Sequence, residues 1–264
     1  LSNAITELEN QIGFQIFERT NKKVLVTKLG EELLDKAIKI QLQIEDINKL
    51  GESQKAPLSS PMTIGIIPTI GPYLLPLILP KLKAKYPNLK LNLIENQSSY
   101  LIKKLNNGDL DMAILALPYD LQGLLAFKFW KEDFYHVSHK NRKYTNFIKA
   151  KEIDQSELML LDDGNCLKNH VLKACKIDNK QNFSMEASNL STLIQLVANN
   201  MGTTLVPTMS VKYLIGNNPE LKKSLLKEPG PHRELAIIVR PTYIFTENIT
   251  LLQKLFKDTL KNNI

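Results

Sequence analysis

Lys55-Ala-Pro-Leu-Ser-Ser-Pro61, followed at once by Met62-Thr-Ile-Gly-Ile-Ile67, decides how the chain is divided. Two prolines and two serines end a long helical pattern, and the apolar run after them has the character of a strand. The break predicts an interdomain linker, with residues 31–61 forming a linker helix and hinge. Downstream, strand-like and helical runs alternate: Met62 to Ile67, Pro76 to Lys85, Lys90 to Glu95, Tyr100 to Asn106 and Met112 to Leu117. The alternation resumes with Leu158 to Leu161, Leu167 to Lys176, Asn189 to Asn200, Thr203 to Val206 and Glu234 to Val239, and closes on Asn248 to Leu260. This rhythm predicts βαβ units, parallel sheet and an α/β fold.

The 264 residues are 43% apolar and 23% charged, the balance of an ordinary globular protein, which excludes disordered and collagen-like chains. The formal charge of +7 invites a nucleic-acid reading, but its location argues otherwise. Up to Pro61 eight basic residues face nine acidic ones, so the surplus is C-terminal and spread along the chain. Two cysteines are too few for a disulfide scaffold, and no basic-then-apolar leader opens the sequence, so a reducing cytoplasm is expected. The longest apolar stretch, Tyr73 to Leu82, contains Pro76 and Pro80 and falls short of the ~20 residues a membrane span needs. The chain opens on Leu1 inside a helical pattern, so a fragment is expected.

Before the linker, Ile5, Leu8 and Ile12 are spaced three and four apart and Gly13 follows, the pattern of an amphipathic helix with a C-terminal glycine. Phe14 to Thr20 and Val24 to Thr27 read as two strands joined at Asn21-Lys22-Lys23, a hairpin with a cationic tip. Helix followed by basic-tipped hairpin predicts a winged helix, in which the helix enters the major groove and the wing touches phosphate. Thr27 is placed to cap the next helix, with Glu31 and Glu32 in its first turn. Leu33, Ala37, Ile40, Ile44 and Ile47 then recur at heptad spacing, either a seam for a second helix or a face packed on its own domain.

The order Leu1-Ser-Asn-Ala-Ile-Thr-Glu-Leu-Glu-Asn-Gln-Ile-Gly-Phe-Gln-Ile-Phe-Glu-Arg-Thr, then Val26-Thr27 and Gly30, resembles the second half of the DNA-binding domain of LysR-type transcriptional regulators. The resemblance implies that residues 1–30 are a winged helix-turn-helix truncated at its N-terminus. It places Ser2, Asn3 and Ala4 in the DNA groove and Lys22 at the wing contact. It also makes Glu31 to Lys49 the dimerising linker helix. A fragment of this kind is expected to bind an operator poorly.

Leu158-Met-Leu-Leu-Asp-Asp-Gly-Asn-Cys166-Leu-Lys-Asn-His-Val-Leu-Lys-Ala-Cys175 runs an apolar strand into a turn and then a helical pattern. Cys166 is therefore expected at a helix N-terminus, where unpaired amides, the dipole and Lys168 would lower its pKa. If the helix runs to Cys175, nine steps of ~1.5 Å separate the two cysteines by roughly 13 Å, beyond the ~7 Å between Cα atoms that a disulfide allows. A bridge would then require the helix to unwind or move. The alternative is that both cysteines are small buried hydrophobes.

Asp162-Asp-Gly-Asn-Cys166-Leu-Lys168 with Cys175 nine residues on is similar to the cysteine region of peroxide-sensing LysR-type regulators. Ile67-Pro-Thr-Ile-Gly-Pro-Tyr-Leu-Leu-Pro76, Asp111-Met-Ala-Ile-Leu-Ala-Leu117 and Gly202-Thr-Thr-Leu-Val-Pro207 are similar too. The resemblance implies two Rossmann-like α/β subdomains like those of periplasmic binding proteins, residues 62–131 with 234–264 and residues 132–233. It makes Cys166 the peroxidatic cysteine, oxidised to sulfenic acid, and Cys175 its resolving partner. Thr69, Asn165 and Lys168 would then bind peroxide, Asn165 and Lys168 standing where the family usually has His and Arg. His170, four residues after Cys166, is read either as a substitute for that His or as a solvent-facing helix residue. The implied partners are double-stranded operator DNA, hydrogen peroxide, RNA polymerase and further copies of the chain as a homodimer or homotetramer. No enzyme activity, cofactor, metal or membrane is expected.

Two rivals remain open at this point. One is a LysR-type regulator that holds a small anion or metabolite between the subdomains and has inert cysteines. The other is a thiol peroxidase or a binding protein of the periplasmic type. His136 and His139 lie three apart in an extended segment, on opposite faces, against a metal site. His232 reads as a solvated loop residue, and Trp130 with Phe127, Phe129 and Phe134 as packing at the subdomain crossover.

Overall fold

The computed structural model describes residues 2–19, 23–49, 51, 56–178 and 185–263. The chain forms two compact units, 1–54 and 55–264. The expected hinge at 55–61 joins the second unit: Leu58 is buried and its N–H donates to Asn248 Oδ1 at 2.9 Å.

In the first unit α1 (Ser2–Ile12) ends where Gly13, at φ +79°, donates its N–H to the Glu9 carbonyl. The Glu9 carboxylate accepts the amides of Ile16 (2.7 Å) and Phe17 (3.1 Å), which turns the chain into the hairpin. β1 (Phe17–Arg19) pairs antiparallel with β2 (Val24–Val26), shorter strands than the alternation predicted. Thr27 Oγ1 accepts the Gly30 amide at 2.9 Å and caps α2 (Lys28–Lys49). Along α2, Ile40, Ile44 and Ile47 are each more than half exposed. Ser2, Asn3 and Ala4 are exposed on the first turn of α1, and Lys22 lies outside the described residues.

The second unit begins with β3 (Met62–Ile66), α3 (Gly71–Lys85), β4 (Leu91–Glu95), α4 (Ser98–Asn106), β5 (Met112–Leu117) and β6 (Leu125–Glu132). It continues through β7 (Phe134–His139), β8 (Phe147–Ile148), β9 (Leu160–Leu161), α5 (Cys166–Cys175), β10 (Glu186–Ala187), α6 (Leu190–Ala198), β11 (Thr204–Pro207), α7 (Thr208–Leu214) and β12 (Leu221–Leu226). It closes with β13 (Arg233–Val239) and α8 (Thr246–Lys261). A five-stranded sheet has the order β4-β3-β5-β13-β6 and a four-stranded one β11-β7-β12-β8. All six residues of β5 are buried, so it reads as a continuous apolar run at the middle of its sheet.

The expected parallel pairing is only partly right. β3 is parallel to β4 and β5, but β13 runs antiparallel to β5 and β6, and β7 runs antiparallel to β11 and β12. Alternation reveals strands and helices, not which strand lies beside which; β7 pairs with strands that are 65 or more residues away in sequence.

The chain crosses between sheets twice, at Asp133 and between β12 and β13. His232 belongs to the second crossover and is buried, not solvated. Its ring stacks on Phe134 (5.2 Å), Nδ1 accepts the Phe134 amide at 3.0 Å, and Nε2 donates to the Glu228 carbonyl at 3.1 Å. On the first crossing strand Phe129 packs edge-on against Phe256 of α8, and Trp130 is half-buried against the core.

Candidate functional site

Cys166 is the first residue of α5, preceded by Asn165 and by Gly164 at φ +90°. A side chain at 164 would lie 2.6 Å from Gln97 Oε1, so the turn needs both the left-handed backbone and the missing Cβ. Leu167, Val171 and Leu172 anchor the helix in the core. Cys166 and Cys175 both carry free, buried thiols at opposite ends of α5. The helix rise sets them ~13 Å apart.

The expected fall in the Cys166 pKa is reversed. Burial pushes the thiol above the ordinary range and outweighs the opposing pull of the Ser98 hydroxyl, the Arg233 guanidinium and the amides of Cys166 and Leu167. Ser98 Oγ is buried without a conventional hydrogen-bond partner. Cys175 is pushed up to about 12, by burial and then by the Glu228 charge.

The cation acting on Cys166 comes from a distant part of the sequence, the start of β13. Arg233 is fully buried, and its Nε and Nη2 both lie 2.7 Å from Glu132 Oε2. Its Nη1 donates to Thr69 Oγ1 at 3.1 Å and its Nη2 to the Thr69 carbonyl at 3.2 Å. Glu132 Oε1 in turn accepts the Met209 amide at 2.8 Å. Both crossovers are thereby tied to the turn between β3 and α3 that carries Thr69. A buried ion pair with every oxygen engaged avoids the desolvation cost that an unpaired charge would incur.

Of the sequence-predicted residues, Thr69 and Cys166 share Arg233 as a common neighbour. Asn165 stays at the mouth of α5, where its Nδ2 donates to the Asp162 carbonyl at 3.3 Å, and it makes no side-chain capping bond. Lys168 does not supply the expected cation: its Nζ is drawn to Asp163 (2.8 Å) and Glu186 (2.5 Å). Burial works against its charge, but these carboxylates outweigh burial and raise its pKa. His170 is neither solvent-facing nor a cation. Its Nε2 donates to the Pro118 carbonyl at 2.9 Å, and burial, followed by the charges of Arg233 and Lys173, lowers its pKa to about 4 against the pull of that bond. Its Nδ1 is buried without a partner.

Ser98, Glu132 and Arg233 were not predicted as site residues. The ion pair joins positions 101 residues apart, and Ser98 resembles any hydroxyl at a helix start, so no local pattern marks them. His136 lies in the core with its ring edge-on to Tyr144, while His139 Nε2 meets Glu220. Among the described residues no cluster of three or more His, Cys, Asp or Glu could hold a metal ion, and no helix is long and apolar enough to cross a membrane.

Two mixed α/β halves are joined by a double crossover, and a cysteine-bearing helix starts close to the buried Arg233 of that crossover. Residues 55–260 match the LysR substrate binding domain, and the chain belongs to that family. Within it the likeness runs to OxyR. The chain is 33% identical over 244 residues to the hydrogen peroxide-inducible genes activator of Haemophilus influenzae, covering 91% of this chain and 81% of that protein. It is 37% identical over 245 residues to the HTH-type transcriptional regulator EstR of Acinetobacter baylyi, covering 91% and 80%. A cysteine-to-serine variant of OxyR from Corynebacterium glutamicum, solved with hydrogen peroxide bound, superposes with a TM-score of 0.75 at 28% identity over 99% of this chain and 83% of that one.

Proposed function

We propose that the chain is a cytoplasmic, DNA-binding transcriptional regulator of the OxyR kind that is switched by hydrogen peroxide through a Cys166–Cys175 disulfide. The observation that carries this reading is the placement of Cys166 at the start of α5, beside the Ser98 hydroxyl and the Arg233–Thr69 hub, with Cys175 at the other end of the helix. Thr69 Oγ1, Ser98 Oγ and the Asn165 side chain are the polar groups available to peroxide.

The raised thiol pKa keeps Cys166 largely protonated at rest, so the Arg233 charge and the helix amides act on the thiolate as it forms. Its sulfur attacks one peroxide oxygen, the O–O bond breaks, and the departing hydroxide takes up the thiol proton as water. The product is a sulfenic acid at Cys166. Cys175 sulfur then attacks it and a second water leaves, which closes the disulfide. A span of ~13 Å must shrink to within ~7 Å, so closure unwinds α5 and withdraws buried Leu167, Val171 and Leu172 from the core. Chemistry and conformational change are thus one event. The signal passes to the first unit, where Ser2, Asn3, Ala4 and Lys22 meet operator DNA. The exposed isoleucines of α2 support pairing into a homodimer or homotetramer that engages RNA polymerase. The thiols are consumed stoichiometrically and not turned over.

Peptide mapping by mass spectrometry after a small peroxide dose tests this. A Cys166–Cys175 crosslink is expected, with sulfenate trapped at Cys166 in Cys175→Ser. Unmodified thiols would overturn the proposal in favour of a metabolite-binding regulator, and sustained peroxide turnover with a reductant would favour a peroxidase.

A further inference from the structure

We propose that the same cysteine also takes uncharged organic hydroperoxides, held in a cleft whose wall includes Cys166; this extension rests on the peroxide-sensing reading above. The cleft has a volume of about 320 Å³ and lies between the α4 and β5 side of the first sheet and the N-terminal turn of α5. Its wall includes Ile102, Pro118, Tyr119, Asp120, Cys166 and Asn169. A water molecule's share of liquid volume is ~30 Å³, and hydrogen peroxide, with two oxygens, needs roughly twice that. The cleft is several times larger and falls at the lower end of the ~300–1,000 Å³ range of small-molecule pockets.

The wall chemistry narrows the occupant. Ile102, Pro118 and the Tyr119 ring offer an apolar side, and Asp120 is the single charged residue among those lining the cleft. A carboxylate at the mouth repels anionic substituents, so alkyl or aryl hydroperoxides without charge fit best. The buried Ser98 hydroxyl, which acts on the Cys166 thiol, is the group proposed to bond the hydroperoxyl end. The organic group would then remain in the cleft. The thiolate attacks the terminal oxygen and the O–O bond breaks. The alkoxide leaves into the cleft and takes up the proton lost by the thiol. Cysteine is oxidised by two electrons to sulfenic acid, and the hydroperoxide is reduced to its alcohol.

The test uses the full reduced chain and its Cys175→Ser variant, dosed in parallel with hydrogen peroxide and with cumene hydroperoxide, and follows sulfenate at Cys166 by quenched mass spectrometry. The expected result is oxidation by cumene hydroperoxide at a rate within about tenfold of that with hydrogen peroxide. In Asn169→Phe, which narrows the cleft from an exposed position on α5, the ratio of the cumene to the hydrogen peroxide rate should fall about tenfold or more, the scale of steric exclusion by a side chain. If hydrogen peroxide oxidises Cys166 and cumene hydroperoxide does not, the inference fails while the sensor reading stands. An unchanged ratio in Asn169→Phe also overturns it, because the cleft would then not hold the organic group. If neither peroxide reacts, both readings fall.

Discussion

Replacing Arg233 by Met tests the hub that joins stability to chemistry. The guanidinium is fully buried and makes two 2.7 Å contacts with Glu132 Oε2 and two donations to Thr69. Without it the Glu132 carboxylate, whose side chain has 0% exposure, keeps only the Met209 amide. An uncompensated buried charge costs about 3–5 kcal/mol. For a unit of this size about 2–4 °C of melting temperature accompany each kcal/mol, so a fall of roughly 6–20 °C is expected. Adding Glu132→Gln removes the stranded charge while its side-chain oxygen still accepts the Met209 amide, so the double variant should recover at least about 2 kcal/mol. Peroxide reactivity should not recover with it. Both variants lack the cation acting on Cys166 and the donor to Thr69, and a hydrogen bond to a charged group is worth ~1.5–3 kcal/mol, or at least about tenfold in rate. Urea and thermal unfolding of the reduced proteins, beside quenched thiol-loss kinetics, supply both readouts. Arg233→Met within about 1 kcal/mol of the parent would refute the ion-pair argument. A double variant that regains the peroxide rate along with stability would show Arg233 to be structural alone.

Two further outcomes follow from the same geometry. His136 and His170 are buried neutral with pKa values of about 4, below the ordinary value near 6.5, so the unfolded chain binds more protons than the fold between these limits. Stability is therefore complete above pH ~6.5 and lost as pH falls towards 4, by on the order of 3 kcal/mol for each histidine; in His136→Phe the slope of melting temperature against pH over this window should drop by about half, and an unchanged slope would count against the assignment. Lys176 ends α5 in the left-handed conformation at φ 54°. Glycine there removes strain worth about 0.5–1 kcal/mol net, so Lys176→Gly should lengthen the life of the Cys166 sulfenate before disulfide closure about two- to fivefold, and faster closure would contradict the need to unwind the helix.

Much of the fold was legible because its signals are local. The Pro-Ser break at 55–61, the capping threonine at 27 and the glycine after α1 each act through the backbone of their own neighbours. So does the helix that sets Cys166 and Cys175 nine residues apart. Strand direction in the second sheet was not legible, since β7 takes partners from distant parts of the chain.

The site divides along the same line. Sequence by itself determined that the two cysteines stand nine residues apart on one helix, and that this separation forbids a bridge without movement, because helix rise is a property of consecutive peptides. Tertiary structure alone decided how those residues behave. It buried Cys166 enough to raise a pKa that the helix terminus would have lowered, and drew Lys168 away to Asp163 and Glu186. It supplied Arg233 in the cation's place and left His170 neutral on the Pro118 carbonyl. Desolvation and charge depend on everything packed around a group, and those neighbours come from positions far apart in the chain.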